Sequence, residues 1–215
     1  MDSKIATSAN DACSIAFDVE NRIDRIYDVL IANAQDGIWN QVVMRAFSKA
    51  RYQPKENTMK TLSDAFEHTL QDIYYAENAL TKALPKVHEA ANGTKLKKAV
   101  ADHLEETKDQ IKVLEKVFKS IGKTASGEKC DAIEGLIKET ESIIEEASGV
   151  AKNAALIAAC QAVEHYEIAR YGTLREWAKV LGHDEAHDLL TSILDQEKAT
   201  NSKLTNLAVS SINEA

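Results

Sequence analysis

Four long stretches of this chain carry an apolar residue at every third or fourth position, and on each of them a glutamate stands near the middle of the row. Such a period is that of one helical face turned toward a core. The interruption is the constraint, because a carboxylate in a core needs a partner that apolar neighbours cannot supply. On the first stretch the row runs Leu62, Phe66, Leu70, Ile73, Glu77, Leu80 and Leu84. On the third it runs Leu156, Cys160, Val163, Glu167, Tyr171 and Leu174, with Glu164 one turn before Glu167 on the same side. On the fourth it runs Ala186, Leu190, Ile193, Glu197, Asn201 and Leu204. The second stretch offers two adjacent rows, one passing through Ala99, His103, Glu106, Gln110 and Val113.

Composition favours helices over strands, since 215 residues include only 2 prolines and 8 glycines, and 6% are aromatic. The glycines punctuate: Gly37, Gly93, Gly122, Gly127, Gly149 and Gly182 fall between periodic stretches, where helices end. The periods predict long helices over about 61–91, 95–120, 152–181 and 184–212, and a shorter one over about 131–147. Pro85 should kink the first helix or break it in two. Residues 59–215 thus read as all-α: a four-helix bundle with one long crossover carrying a short extra helix, the connectivity of ferritin-like bundles.

Residues 1–58 read as a separate N-terminal helical appendage and linker. Ile15, Val19, Ile23, Ile26, Tyr27 and Leu30 form a helical stripe, Trp39, Val42, Val43 and Phe47 suggest a second short helix, and RYQPKENT reads as the linker. The regular period favours a structured appendage over the alternative, a translated leader ahead of a start at Met59.

The net charge of -8 is spread among interspersed lysines and arginines, which argues against nucleic acid or an anionic membrane as partner. The longest apolar run, AALIAAC at 154–160, is too short to span a bilayer, and the N-terminus lacks a signal segment. Cys13, Cys130 and Cys160 are far apart without a C-x-x-C, as expected of reduced thiols in a cytoplasm.

Carboxylates gathered from four helices would repel one another and lose their hydration. Protonation or paired cations would relieve this, but Lys82, Lys108, Arg170 and Lys198 fall mostly off the apolar rows. Two metal ions held between the helices are the remaining remedy, and oxygen-rich ligation suits iron, with manganese as the alternative. The candidate ligands are Glu77, Glu106, Glu164, Glu167 and Glu197, with His103, Gln110 and Asn201. Glu164 and Glu197 should reach one height across the turn between the last two helices, and Glu77 and Glu106 likewise across the turn at NGT. Histidine is the departure: no glutamate is followed three positions later by one, and His103-x-x-Glu106 has the reverse order. His165 is turned away from Glu164 by about 100°. A degenerate polar core without metal stays open. Around this group, Asp72 reads as structural, Asp184 as a helix-start charge, Cys160 as core, and Tyr166 and Tyr171 as packing residues able to hydrogen-bond the carboxylates.

Together TLSDAFEHTLQDIYYAENALTKALPK, AVADHLEETKDQI, KCDAIEGLIKE, NAALIAACQAVEHYEIARYGTL and LDQEKATNSKLTNLA give residues 59–215 a resemblance to the YciE/YciF-type ferritin-like stress proteins of bacteria. VEHYEIARYGTL and EKATNSKL are the most specific parts, although Asn201 stands where the family pattern suggests aspartate. The resemblance implies a ferritin-like bundle, a homodimer, a di-iron site and a link to stress. It supplies no reaction. Peroxide removal or ferrous oxidation, iron binding without turnover, and a non-enzymatic structural role all remain open.

Overall fold

The computed structural model describes residues 59–213. The two N-terminal helices and the linker expected before Met59 lie outside the described residues.

The described residues form α1 (Leu62–Ala90), α2 (Thr94–Ser120), α3 (Asp131–Glu146), α4 (Gly149–Val180) and α5 (Asp184–Leu207), the last running into a π-helical turn, Ala208–Ile212. Helix α1 starts at a reciprocal cap: Thr61 Oγ1 accepts the Asp64 N–H at 3.1 Å, and Asp64 Oδ2 accepts the Thr61 N–H at 2.9 Å. Helices α2 and α4 end in matching turns. The N–H groups of Gly122 and Lys123 return to the carbonyls of Lys119 and Phe118, and those of Gly182 and His183 to Lys179 and Ala178. Both turns need a left-handed residue, supplied by Gly122 (φ 72°) and Gly182 (φ 73°). Asp184 is the first residue of α5 rather than its cap, so its charge acts on the helix dipole.

Helix α1 packs on α2 and α4, and α5 packs on α2 and α4, closing a four-helix ring. The long crossover from α2 to α4 carries α3 across the α1–α4 side. This is the ferritin-like arrangement that the sequence predicts. Loop 121–130 is tied to α1 by Glu128 N–H donating to the Gln71 carbonyl at 3.3 Å, and α3 by the Tyr75 hydroxyl donating to Glu134 at 2.6 Å.

Two local expectations are corrected. Of the two outcomes expected at Pro85 the break does not occur: the residue is exposed and the helix runs on to Ala90. On α2 the buried row is Leu96, Val100, His103, Thr107, Gln110, Leu114 and Val117, so Ala99, Glu106 and Val113 lie at its edge. The core is apolar at both ends of the bundle. One end holds Phe66, Leu70, Leu114, Leu174 and Leu190, the other Leu84, Val87, Leu96, Leu156 and Leu204. The polar layer lies between them.

Candidate metal centre

The polar layer forms because each helix places its interrupting residue at mid-length on the buried face. Glu77 lies between Ile73 and Leu80 on α1, His103 between Val100 and Thr107 on α2, Glu164 and Glu167 between Val163 and Tyr171 on α4, and Glu197 between Leu194 and Thr200 on α5. All five are buried, the four glutamates at 1% exposure or less. One ligand atom from each of His103, Glu164, Glu167 and Glu197 lies within 4.8 Å of every other. His103 Nδ1 is 3.2 Å from Glu164 Oε1. Glu77 joins through Glu167, the two carboxyl groups standing within hydrogen-bonding reach.

Few donors reach this layer. The fully buried Tyr171 hydroxyl donates to Glu77 Oε1, and Gln110 Nε2 donates to Glu197 Oε1 at 2.6 Å. Both Glu164 oxygens, both Glu167 oxygens, Glu77 Oε2 and His103 Nε2 are buried with no hydrogen-bond partner. Stranding so many acceptors away from water costs far more than most single side chains contribute to a fold.

The electrostatics follow from burial. Loss of hydration, then the charge of Glu197, pushes Glu77 up to about 8, while the Tyr171 hydroxyl opposes the shift. Burial likewise pushes Glu164 up to about 8, and Glu167 and Glu197 are held well above the usual carboxylate range by burial and by their neighbours' charges. Burial pushes His103 down to about 4, so its imidazole is neutral and has a lone pair to give. Burial pushes the Cys160 thiol, one turn before Glu164, up to about 12, so it keeps its proton in the metal-free protein.

Three of the residues anticipated as ligands are bonded differently. Gln110 donates from Nε2 to Glu197, while its Oε1 is buried in the layer without a partner. Glu106 is half-buried, its oxygens held by the Thr200 hydroxyl at 2.7 Å and the Lys203 ammonium at 3.0 Å, and its charge acts on Glu164 and Glu197 from the edge of the layer. Asn201 accepts from Gln161 Nε2 at 3.0 Å, and Thr200 takes the buried position on α5. His165 is exposed and bonds the Gln161 carbonyl. Of the tyrosines, Tyr171 reaches the carboxylates, whereas Tyr166 pairs with the Cys130 thiol at 3.0 Å. Thr107, buried with its hydroxyl unpartnered, was not singled out from sequence; its position four residues after His103 was the available signal.

The donor set fits hard divalent cations. Four carboxylates without a cationic partner and one neutral imidazole match the ligand preferences of iron and manganese. Once ionised, the four would balance the charge of two divalent ions, while the charge of Glu106 is already met by Lys203.

Comparison with known proteins agrees with this architecture. Residues 61–215 match the family described as a domain of unknown function, DUF892. The chain is 47% identical over 158 residues to Protein YciF of Escherichia coli (strain K12), covering 73% of this chain and 95% of that protein. Among solved structures, the E. coli stress protein YciF matches with a TM-score of 0.70 and 46% identity, over 73% of this chain and all (100%) of that one. YcfI of Rhodopseudomonas palustris matches with a TM-score of 0.68 and 50% identity, over 70% of this chain and 96% of that one. The chain therefore belongs to the DUF892 family of YciF-type proteins.

Proposed function

We propose that this DUF892 protein is a ferritin-like stress-response metalloprotein whose polar layer holds two iron or manganese ions and turns over peroxide or ferrous iron. The reading rests above all on Glu77 Oε2 and both oxygens of Glu164 and Glu167, which as ionised carboxylates are buried without a donor. Two divalent ions would neutralise the layer, and iron or manganese would supply one-electron oxidation and reduction. The residues of the chain hold and orient. Glu164, Glu167, Glu197 and Glu77 would bind through oxygen and His103 through nitrogen. Gln110 steadies Glu197, and Tyr171 steadies Glu77 and holds a proton beside it. The apolar layers at either end exclude water and keep the metal-facing oxygens in a low dielectric.

An alternative is supported by the same donors: a non-enzymatic protein, metal-binding or purely structural, in which Tyr171 and Gln110 and shared protons keep a degenerate polar core tolerable. The same resemblance, with the free thiols of Cys130 and Cys160, suggests a cytoplasmic homodimer, which light scattering on the purified chain would test. Among the described residues, no helix is long and apolar enough to cross a membrane.

Elemental mass spectrometry on protein purified without a metal-affinity tag, beside Glu167→Ala, decides the main reading. About two iron or manganese ions per chain, lost in the variant, is the expected result. No metal above background after anaerobic loading with ferrous or manganous salt would overturn it, and the structural account would take its place.

A further inference from the structure

Helix α3 is extra to the four-helix ring, and it roofs a cavity of about 30 Å³ between α1 and α4. Leu84 and Val87 from α1, Ile137 and Ile144 from α3, and Val163 from α4 form its walls, and His103 reaches it from α2. His103 is also one of the four clustered donors of the polar layer. Val163 precedes Glu164 directly in the chain. The cavity therefore adjoins the candidate metal centre on its imidazole side.

Size and polarity select the occupant. A water needs about 10–15 Å³ on this measure, so the space admits two such spheres, the size of a diatomic molecule. A buried water also needs two to four polar partners. Here the Thr140 hydroxyl donates to the Leu136 carbonyl at 2.8 Å, and Lys86 and Glu141, their side chains exposed to solvent, are bonded to each other at 2.6 Å. His103 Nε2 is unpartnered, but one ring nitrogen, as donor or acceptor, does not hold a water, and it meets at most one of the polar groups of hydrogen peroxide. An apolar diatomic loses nothing by entering.

We propose that the cavity beneath α3 is a binding site for dioxygen, which makes dioxygen rather than peroxide the oxidant delivered to the His103 side of the centre. The oxidant role rests on the di-metal reading above; occupancy of the cavity does not.

The test uses the full-length, metal-free protein with labelled methyl groups, under oxygen pressure. Dissolved dioxygen is paramagnetic and relaxes the methyls it visits. Methyls of Leu84, Val87, Ile137, Ile144 and Val163 should relax several-fold faster than equally buried methyls of Leu70, Ile73 and Leu190 at the other end of the bundle. Val163→Ile adds one methylene to the space and should abolish the difference, and Ala83→Val, on the α1 wall, should do the same. Equal relaxation at both ends of the native protein would overturn the proposal, as would enhancement that survives both substitutions. Enhanced relaxation in a chain that binds no metal would leave the cavity standing and remove only the di-metal reading.

Discussion

Replacing Glu167 by glutamine should stabilise the metal-free protein and cripple the metal-loaded one. Both oxygens of Glu167 are buried without a donor, and its carboxyl faces those of Glu77, Glu164 and Glu197. Glutamine keeps the shape, cannot ionise, and brings an amide that can donate to Glu77 Oε2, itself unpartnered. Satisfying a buried acceptor contributes about 1–3 kcal/mol, and a domain of this size gains roughly 2–4 °C in Tm per kcal/mol, so a rise of about 2–12 °C is expected. The size of the gain depends on pH. The folded-state pKa of these glutamates is raised, to about 8 for Glu77 and Glu164, so the native state keeps protons that the unfolded chain releases above its ordinary value of 4.5. Their contribution is complete below that value and is lost as pH climbs through about 8. Glu167→Gln removes one such group, so its advantage should be small near about pH 5 and largest near about pH 9. Metal reverses the order. The native protein gains about 2.7 kcal/mol per site at 100-fold excess over Kd, and the variant has lost a ligand. Thermal melts by circular dichroism, after chelation and again with manganous ion, read both arms. A metal-free variant less stable than the native chain at about pH 8 would refute the reasoning, because Glu167 would then be a structural carboxylate.

Three further outcomes follow from the same geometry. Gln110→Leu removes the 2.6 Å donor to Glu197 and should weaken manganous binding about 10–100-fold by calorimetry while leaving stoichiometry unchanged. Tyr171→Phe strands the second Glu77 oxygen, which should raise the Glu77 pKa further above about 8 and cost the metal-free protein about 1–3 kcal/mol in denaturant melts. Gly127→Ala would set a Cβ 3.1 Å from Tyr75 Cβ, 3.2 Å from its Cα and 3.3 Å from its N. The obstruction is the backbone of α1, which cannot yield as a side-chain tip would, so a loss of about 1–3 kcal/mol is expected in the same melts.

Most of the fold was legible because long amphipathic periods and glycine stops are local signals. The ends of α1, α2 and α3 fall within a residue of the expected limits, α4 begins three residues early at Gly149, and α5 passes into a π-helical turn from Ala208. Tertiary ties were not legible. Asn92 and Asn153 bond reciprocally across 61 positions, through Asn92 N–H to Asn153 Oδ1 and Asn153 Nδ2 to the Asn92 carbonyl, pinning the α1–α2 turn to the start of α4. Nothing in either local sequence announces the other.

The candidate centre was legible to within one helical step, and that step decides chemistry. Neighbouring positions on a helix differ by about 100°, and a row of three- and four-residue steps can often be drawn two ways. On α2 the row through Ala99 and Glu106 and the row through Val100 and Thr107 share His103 and Gln110, so periodicity alone cannot rank them. Packing ranks them, because Val100 fills the core where Ala99 would leave a void, and Glu106 then turns outward to Thr200 and Lys203. The same ambiguity on α5 exchanged Asn201 for Thr200, and the two exchanges are one event, since Thr200 is the residue that binds Glu106. The pair closes the α2–α5 side of the layer with a satisfied carboxylate. On the opposite side, beneath α3, the wall is apolar and His103 Nε2 has no partner. The polar layer is thus flanked by a satisfied charge on one side and by a small, largely apolar cavity on the other, an asymmetry that arises from where two helices settle by one residue and that no single row of the sequence records.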